Sequence, residues 1–285
     1  MPIIVVQAYA KFAECVEVLN SIDRQPLSSK YTVLVYVDGL AQSHRRDRHV
    51  LDERDKLLEY LRKRVGTETN GFKLMLHECD TNKGPYLCCH DAVEMGFTID
   101  DFVIFTEDDI VFCQDSLELY ESFREGEIGC HGTAVGVTAQ SQRYGMTRSA
   151  PLDEKTKAQT VKAAGIRARR LELHHWAPNK QFGMFKTGWD RISFIRKGDF
   201  AASPGFAGKS YSKFGADRAT GHYCQENRLA FLFSFVPRIQ DIGFYHVNGV
   251  TTRCQGTQGK TSDTIKSITT DDLSVSLFPP ERFTI

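Results

Sequence analysis

The stretch Phe102-Val-Ile-Phe-Thr-Glu-Asp-Asp109 decides the fold that we predict from this sequence. Residues 102–106 are mostly β-branched or aromatic, which predicts a strand that is buried on both faces. Three adjacent carboxylates follow, and residues 114–120 then show a helical pattern. In open α/β sheets, ligands bind beyond the carboxyl ends of the strands. We therefore expect the acidic triplet, Glu107, Asp108 and Asp109, to line a functional site.

The chemistry of the triplet points to a cation. Neighbouring carboxylates repel one another unless a cation or hydrogen-bond donors compensate their charge. Alternation along an extended chain directs Glu107 and Asp109 to one side and Asp108 to the other. One or two such carboxylates hold a hard divalent cation and leave its other positions to water and phosphate oxygens. The alternative is a solvated acidic turn that stabilises the amino-terminus of the next helix. The buried strand before the triplet favours the site.

Composition excludes some classes of function. The chain has 285 residues, 41% hydrophobic and 25% charged, as in a globular protein with one large core or two closely packed halves. Lys+Arg and Asp+Glu are equal at 36 each, so no overall field recruits nucleic acid or an anionic membrane. No apolar segment approaches the ~20 residues of a membrane span, and no basic leader precedes the apolar start, so we expect no secretory signal.

The eight cysteines lack metal-binding spacing, which predicts buried thiols in a reducing cytoplasm. We expect the protein there, either free or peripheral to a membrane. A lumenal chain trimmed of a membrane anchor would have the same composition.

Periodicity predicts alternating strands and helices before the triplet. The predicted strands are residues 3–9, 31–38 and 72–77, and the predicted helices are residues 12–22, 50–65 and a segment from Pro85. This order is typical of a mostly parallel sheet covered on both faces. Beyond the triplet we predict a strand within residues 128–137, a polar basic loop over 139–181, a helix over about 216–235 and a strand over 241–249. The charged runs of the 50–65 helix are expected to face solvent.

This pattern resembles the GT-A glycosyltransferases and, more narrowly, the inverting N-acetylglucosaminyltransferases that begin complex N-glycan branching. The segments that carry the resemblance are the first strand, Asp38 after the second strand, Asn82-Lys-Gly84 with His90 on its helix, the acidic triplet, and the Gly-x-x-x-x-Gly-Trp pattern of residues 183–189. It implies an α/β fold of GT-A (Rossmann-like) type, with a mostly parallel central sheet, helices on both faces and a C-terminal acceptor-side extension. The whole chain, 1–285, would be one domain with a nucleotide-sugar-binding half (1–138), an acceptor and catalytic half (139–250) and an irregular tail (251–285).

The resemblance also implies a donor and a metal. The donor is a UDP-sugar, with N-acetylglucosamine as the expected sugar, and the cofactor is Mn²⁺ or Mg²⁺. Position by position, Asp109 becomes the metal ligand, and Glu107 and Asp108 line the sugar and ribose. Asp38 would accept a hydrogen bond from uracil, and His90 would contact the nucleotide.

Four further residues are candidates for donor binding. Gln7 and Tyr9 stand at the end of the first strand, where Tyr9-Ala-Lys11 replaces an arginine usual in that family. Lys83 lies beside a helix start whose free N–H groups form an anion site. Trp189 could close over the donor sugar, although an isolated tryptophan is more often a core residue.

His246 is a candidate metal or phosphate ligand, with a structural histidine as the alternative. An inverting transfer needs a carboxylate base for the acceptor hydroxyl. Glu226 is the first candidate, because the predicted helix places it on an apolar face with Tyr223 and Leu229, where burial raises a carboxyl pKa. The alternative is a glutamate paired with a neighbouring arginine. Asp217 is the second candidate, with a helix cap as its alternative.

The acceptor is expected to be a glycan or a lipid-linked molecule. The 139–181 segment could order over it as a flap, and a solvated loop is the alternative. The charged and aromatic residues of that flap are Arg167, Arg169, Arg170, His174, His175 and Trp176.

Two other functions stay open at this point. A sugar-1-phosphate nucleotidyltransferase shares the layout, but it carries a glycine-rich loop after the first strand that Gln7-Ala-Tyr-Ala-Lys-Phe12 lacks. A non-catalytic nucleotide- or glycan-binding module would keep the fold without turnover.

Overall fold

The computed structural model of this protein describes residues 1–66, 71–126, 133–141, 170–175, 177–178, 180–196 and 215–243. Within these residues ten strands form one large sheet and one small one. The strands are β1 (Ile3–Ala8), β2 (Thr32–Val37), β3 (Lys73–Glu78), β4 (Phe102–Glu107), β5 (Ile110–Phe112), β6 (Ala134–Thr138), β7 (Leu171–His174), β8 (Gln181–Phe185), β9 (Ala230–Ser234) and β10 (Ile239–Asp241). The large sheet has the order β3-β2-β1-β4-β8-β6-β9-β7, and β5 pairs with β10.

The large sheet is mostly parallel, as predicted. Strands β1 to β4 run in one direction, and β6 and β9 share it because each step from β4 through β8 to β6 is antiparallel. Ile104, Gly183, Val137 and Leu232 form one row across the middle of the sheet. The carboxyl ends of six strands therefore lie at a single edge, which we call the carboxyl edge.

Helices cover both faces of the sheet, which confirms the α/β prediction. They are α1 (Phe12–Asp23), α2 (Arg48–Arg64), α3 (Gly84–Phe97), α4 (Ser116–Arg124), α5 (Lys186–Trp189), α6 (Ser193–Arg196) and α7 (Gly215–Glu226). Successive residues of a strand point to opposite faces. Ile4 and Val6 accordingly pack with α1, α2 and α4, whereas Ile3 and Val5 pack with α3, α5 and α7.

Local sequence explains where two of the helices begin. The Asp47 side chain accepts hydrogen bonds from the N–H groups of His49 and Val50, at 3.1 and 3.3 Å, and so caps α2. Pro85 occupies the first turn of α3, where its fixed φ fits and its missing N–H costs nothing.

The predicted helix over 216–235 is wrong in its second half. Helix α7 ends at Glu226, and Arg228 has a left-handed φ of 54°. The apolar run that follows forms β9, which is buried between β6 and β7. A short continuous apolar run fits a buried strand and a buried helix equally well, so its periodicity could not separate the two.

Other differences concern the second half of the chain. Strand β7 lies inside the segment predicted as the 139–181 loop, and β5 and β8 were not predicted. Of the predicted 241–249 strand, Asp241 is observed as the last residue of β10, and residues 244–249 lie outside the described residues. His246, Arg167, Arg169, Trp176 and the 251–285 tail lie outside the described residues.

In the described residues, the burial of the cysteines and the length and polarity of the helices match what the composition predicts. All six of the cysteines that fall there are buried. None of the helices observed there is both long and apolar enough to pass through a bilayer.

Candidate functional site

The acidic triplet lies at the carboxyl edge, beside the end of β1. Glu107 is the last residue of β4 and pairs in register with Gln7. Asp108 and Asp109 form the turn from β4 into β5, and both are buried, with 5% and 2% of their surface exposed. The turn is therefore part of the packed molecule, and the solvated acidic turn considered above is excluded. Buried carboxylates must be compensated.

Lys11 compensates two of these carboxylates. Its Nζ forms an ion pair with Oδ2 of Asp109 and lies 3.3 Å from Oδ1 of Asp108. The N–H of Tyr9 donates to the other oxygen of Asp108 at 3.0 Å. Burial on its own lowers the pKa of Lys11, but Asp108 and Asp109 outweigh that effect and keep it above its ordinary value. Lys11 is therefore a permanent positive charge at the turn.

Lys180 compensates the other side of the triplet. Its Nζ lies 3.0 Å from Oε2 of Glu107 and 3.3 Å from Oδ2 of Asp241, the last residue of β10. The N–H of Ile242 donates to the main-chain oxygen of Asp109 at 2.9 Å, which holds the end of β10 against the turn. The site thus gathers four carboxylates and two ammonium groups from distant parts of the chain.

Burial shifts the acids of this cluster toward their neutral forms. It raises the pKa of Glu107 to about 7, where the ammonium of Lys180 opposes the rise and the charge of Asp109 adds to it. It also raises the pKa of Asp108 and of Asp241, against the stabilising charges of Lys11 and Lys180 respectively. An additional positive charge here would favour the ionised carboxylates.

The donor set fits a divalent cation that binds together with phosphate. Within the described ranges, no three or more His, Cys, Asp or Glu side chains form a ready-made metal site. Asp109 and Asp241 nevertheless supply carboxylate oxygens, the ligands that Mg²⁺ and Mn²⁺ prefer. Mg²⁺ sites typically use one or two carboxylates and complete the coordination with water and substrate phosphates. These two residues would hold the metal.

Gly243 is required for the close packing around Asp109. A Cβ at this position would lie 2.0 Å from Oδ2 of Asp109. Any side chain would therefore displace the carboxylate, and the chain after β10 contributes directly to the shape of the turn.

Asp38 lies at the same edge but fastens the backbone. Its Oδ1 accepts from the N–H groups of Gly39 and Lys83, at 2.8 and 2.9 Å. Its Oδ2 accepts from the Asn82 amide and the Gly84 N–H, at 2.8 and 3.0 Å. Each oxygen already receives two hydrogen bonds, the full capacity of its two lone pairs. This geometry argues against the predicted hydrogen bond from uracil.

Arg54 joins the ends of the first two strands. Its guanidinium donates to the main-chain oxygen of Asp38 at 2.5 Å and to that of Tyr9 at 3.3 Å. It is buried, although the charged run that contains it was expected to face solvent. A charged residue within such a run is nevertheless buried when its position falls on the apolar face of the helix.

Gln7 and Tyr9 lie where the prediction put them, at the end of β1. The Gln7 amide donates to the main-chain oxygen of Pro85 at 3.0 Å, so it links β1 to the start of α3. The Tyr9 hydroxyl is 2.8 Å from Nδ1 of His44 and accepts from the Ala41 N–H at 3.0 Å. Both side chains border the carboxyl edge.

Lys83 and His90 belong to a polar network along α3. Nζ of Lys83 is 2.5 Å from Oδ2 of Asp91 and 2.9 Å from the Tyr36 hydroxyl. Nδ1 of His90 is 2.9 Å from Oδ1 of Asp91, and its ring lies 5.9 Å from that of Trp189. Lys83 stands at the carboxyl edge, whereas His90 is a packing residue halfway along the helix.

Trp189 is a core residue at the opposite edge. Strand β8 runs against β4, so α5, which follows β8, lies near Phe102 at the amino end of β4. The Trp189 ring is fully buried, and its Nε1–H donates to Oε1 of Glu94 at 2.7 Å. This position does not allow the indole to cover a donor at Asp109. The core alternative is correct.

Glu226 also lies at the opposite edge. Only three residues separate it from the amino end of β9, and Leu232 of β9 is level with Ile104 of β4. Its side chain is exposed instead of lying on an apolar face. Asp217 is in the first turn of the same helix, at the end away from Glu226. Glu226 therefore lies away from the acidic turn, and Asp217 remains a candidate base.

Sequence reasoning missed three residues of this cluster as site residues: Lys11, Lys180 and Asp241. Lys11 carried a weak signal, because it lies three residues after the end of β1, which borders β4. Lys180 and Asp241 carried none, because Lys180 directly precedes β8, which was not predicted, and Asp241 ends β10, whose bounds were misplaced.

No family model matches the sequence, and no curated protein matches it. Similar solved structures have low identity. Residues 1–349 of TarS from S. aureus are 15% identical, with a TM-score of 0.41, over 82% of this chain and 60% of that one. The mannosyltransferase PcManGT from Pyrobaculum calidifontis, in complex with GDP-Man and Mn²⁺, is 13% identical, with a TM-score of 0.44, over 83% and 57%. Another S. aureus TarS structure is 16% identical, with a TM-score of 0.39, over 83% and 37%. This chain therefore spans less than two thirds of the length of each.

Proposed function

We propose that this protein is a glycosyltransferase that moves a sugar from a nucleoside diphosphate sugar to a hydroxyl group, with a divalent cation held at Asp109. The observation that carries the proposal is the buried acidic turn at the carboxyl end of β4, gathered with Lys11, Lys180 and Asp241. The resemblance in sequence pattern supports a UDP-sugar, with N-acetylglucosamine as the first sugar to test. The acceptor would be a glycan or a lipid-linked molecule.

The proposed chemistry follows from the charges at the turn. The leaving group of a nucleotide sugar is the nucleoside diphosphate, which leaves poorly until its negative charge is neutralised, and a bound divalent cation would supply that neutralisation as a Lewis acid. Asp109 and Asp241 would hold the cation. Lys11 and Lys180 place two further positive charges at the same edge, where they would contact phosphate oxygens.

Transfer with inversion is a single displacement. The acceptor oxygen bonds to the anomeric carbon as the bond from that carbon to the diphosphate oxygen breaks, and a carboxylate takes the hydroxyl proton. We assign this role to Asp217 in preference to Glu226, because Glu226 lies near the amino end of β9, at the edge away from the acidic turn. Within one domain, the half 1–138 would then supply most of the donor site, to which Lys180 and Asp241 also contribute, and the half 139–250 would supply the acceptor site.

Thermal unfolding with nucleotides tests the proposal. UDP, GDP, CDP and dTDP are each added with and without Mn²⁺ to the wild type, to Asp109→Asn and to the control Asp52→Asn, whose side chain is exposed on α2. A nucleotide at a hundredfold excess over its Kd stabilises by ~2.7 kcal/mol, or several degrees in Tm at ~2–4 °C per kcal/mol.

We expect one nucleotide to raise the Tm only with Mn²⁺, in the wild type and the control but not in Asp109→Asn. Transfer from the matching nucleotide sugar is then measured with a panel of glycan and lipid-linked acceptors. Absence of any shift with all four nucleotides would contradict the proposal. A shift without turnover on any acceptor would instead identify a binding module.

A further inference from the structure

The two ammonium groups at the acidic turn are paired with the two carboxylates that would hold a metal. Nζ of Lys11 is paired with Oδ2 of Asp109, and Nζ of Lys180 is 3.3 Å from Oδ2 of Asp241. Both lysines are largely shielded, with 16% and 18% of their side chains exposed. Each is therefore a largely buried member of the cluster and not a solvent-exposed charge on the surface.

We infer that Lys11 and Lys180 are internal counter-ions, which make cation binding at Asp109 depend on the simultaneous binding of a diphosphate. This inference rests on the proposed function. It concerns the coupling between cation and diphosphate binding, and the sequence resemblance assigns no role to either lysine.

The first step is the cost of binding the metal alone. A divalent cation that binds to Asp109 brings its charge next to the Lys11 ammonium, which is paired with Oδ2 of the same carboxylate. Like charges this close repel strongly in a shielded site and drive the ammonium away. The displaced ammonium then loses a carboxylate partner while it stays shielded from water. Removing one partner of a buried ion pair is strongly unfavourable, because the remaining charge is uncompensated.

The second step is the relief that a diphosphate provides. Phosphate oxygens complete the coordination of a cation held by one or two carboxylates. They also accept hydrogen bonds from an ammonium group, which lysine makes readily to phosphate. Lys11 and Lys180 can therefore exchange their carboxylate partners for phosphate partners as the cation enters. Metal and diphosphate then bind with positive coupling, and the coupling is reciprocal.

The test is Mn²⁺ binding measured by electron paramagnetic resonance of free Mn²⁺. Titrations are run without nucleotide and with saturating UDP or GDP, after correction for the Mn²⁺–nucleotide complex in buffer alone. The variants are Lys11→Gln and Lys180→Gln. The matched control is Lys186→Gln, which removes an ion pair with Asp190 and Glu94 near the opposite edge of the sheet.

In the wild type we expect the nucleotide to tighten Mn²⁺ binding at least tenfold. In Lys11→Gln we expect Mn²⁺ alone to bind at least tenfold more tightly than it binds to the wild type, with coupling reduced to less than threefold. Lys180→Gln should change both quantities in the same direction, and it keeps the test open if Lys11→Gln does not fold. Lys186→Gln should behave as the wild type does.

The inference is overturned if a nucleotide binds with Mn²⁺ but neither folded lysine variant changes the affinity for Mn²⁺ alone. It is also overturned if the wild type binds Mn²⁺ equally well with and without the nucleotide. Failure of the proposed function has a different signature, because no nucleoside diphosphate would then bind to the wild type under any condition.

Discussion

The N–H of Gly84 lies 3.0 Å from Oδ2 of Asp38, so the first residue of α3 is fastened to the residue that follows β2. Asn82 and Lys83 donate to the same carboxylate, and Asp38 is buried. Gly39 lets the two segments approach, because a Cβ there would lie 2.1 Å from the carbonyl carbon of Thr81. Asp38, which the sequence resemblance suggested as the residue that recognises the base, thus holds together the loops that border the carboxyl edge.

Asp38→Asn is expected to act on stability and not on the choice of nucleotide. The new amide NH₂ would face N–H donors, and hydrogen bonds to a charged group contribute ~1.5–3 kcal/mol each at most sites. We expect the free energy of unfolding to fall by at least about 2 kcal/mol in urea denaturation, whereas Asp52→Asn stays within ~0.5 kcal/mol. A variant of native stability that loses its preference among nucleotides would identify Asp38 as a base-reading residue.

Glu226→Gln and Asp217→Asn should separate the two candidate bases. Glu226 is exposed beyond the amino end of β9, whereas Asp217 begins the same helix at its other end. We expect Glu226→Gln to keep kcat within twofold and Asp217→Asn to lower it ~10²-fold or more, the usual contribution of a general base. Donor affinity, measured in parallel, should change little in either variant. The assignment of the base is wrong if the two kcat values are reversed.

Trp189→Phe should weaken packing without weakening donor binding. The indole is fully buried against His90 and Phe182, and its N–H donates to Glu94. Loss of that hydrogen bond costs ~1 kcal/mol, and Trp189→Ala, which leaves a cavity, costs ~3–5 kcal/mol. Calorimetric titration of folded Trp189→Phe with nucleotide and Mn²⁺ should give the wild-type Kd. A Kd raised tenfold in a variant of native stability would place the indole at the donor.

Gly243→Ala should damage the acidic turn, because its methyl group would collide with the Asp109 carboxylate. We expect the Mn²⁺-dependent rise in Tm with nucleotide to disappear and the Tm without nucleotide to fall. Gly66→Ala is the matched control, since its Cβ would meet no atom within 4 Å. The control carries only the backbone strain of its left-handed φ of 79°, about 1–2 kcal/mol. A normal nucleotide response in Gly243→Ala would mean that the turn can move without loss of function.

Short-range patterning was enough to predict the first half of the fold. Each strand before the triplet is a run of apolar residues, and each helix has an apolar stripe, so hydrophobic periodicity located β1 to β4 and α1 to α3. The same reasoning failed at β9, where the apolar run from Leu229 has no polar residues to mark a period. It also failed at β7, because a strand of four residues becomes recognisable only when a neighbour pairs with it.

The sequence by itself determined that three carboxylates end a buried strand, and from this alone their place at the carboxyl edge of an α/β sheet followed. Only the tertiary structure decided which residues surround them. Lys11, Lys180 and Asp241 come together because β1 and β10 end, and β8 begins, beside the turn. The pairings that bring these strands together join residues 75 to 131 positions apart, and no local pattern shows them. Likewise, Trp189 matches a motif by spacing and Glu226 was chosen for its face of a predicted helix, but the direction of the neighbouring strands places both at the opposite edge. Spacing along a chain fixes the local face of a residue, whereas its neighbours depend on the order and direction of the strands.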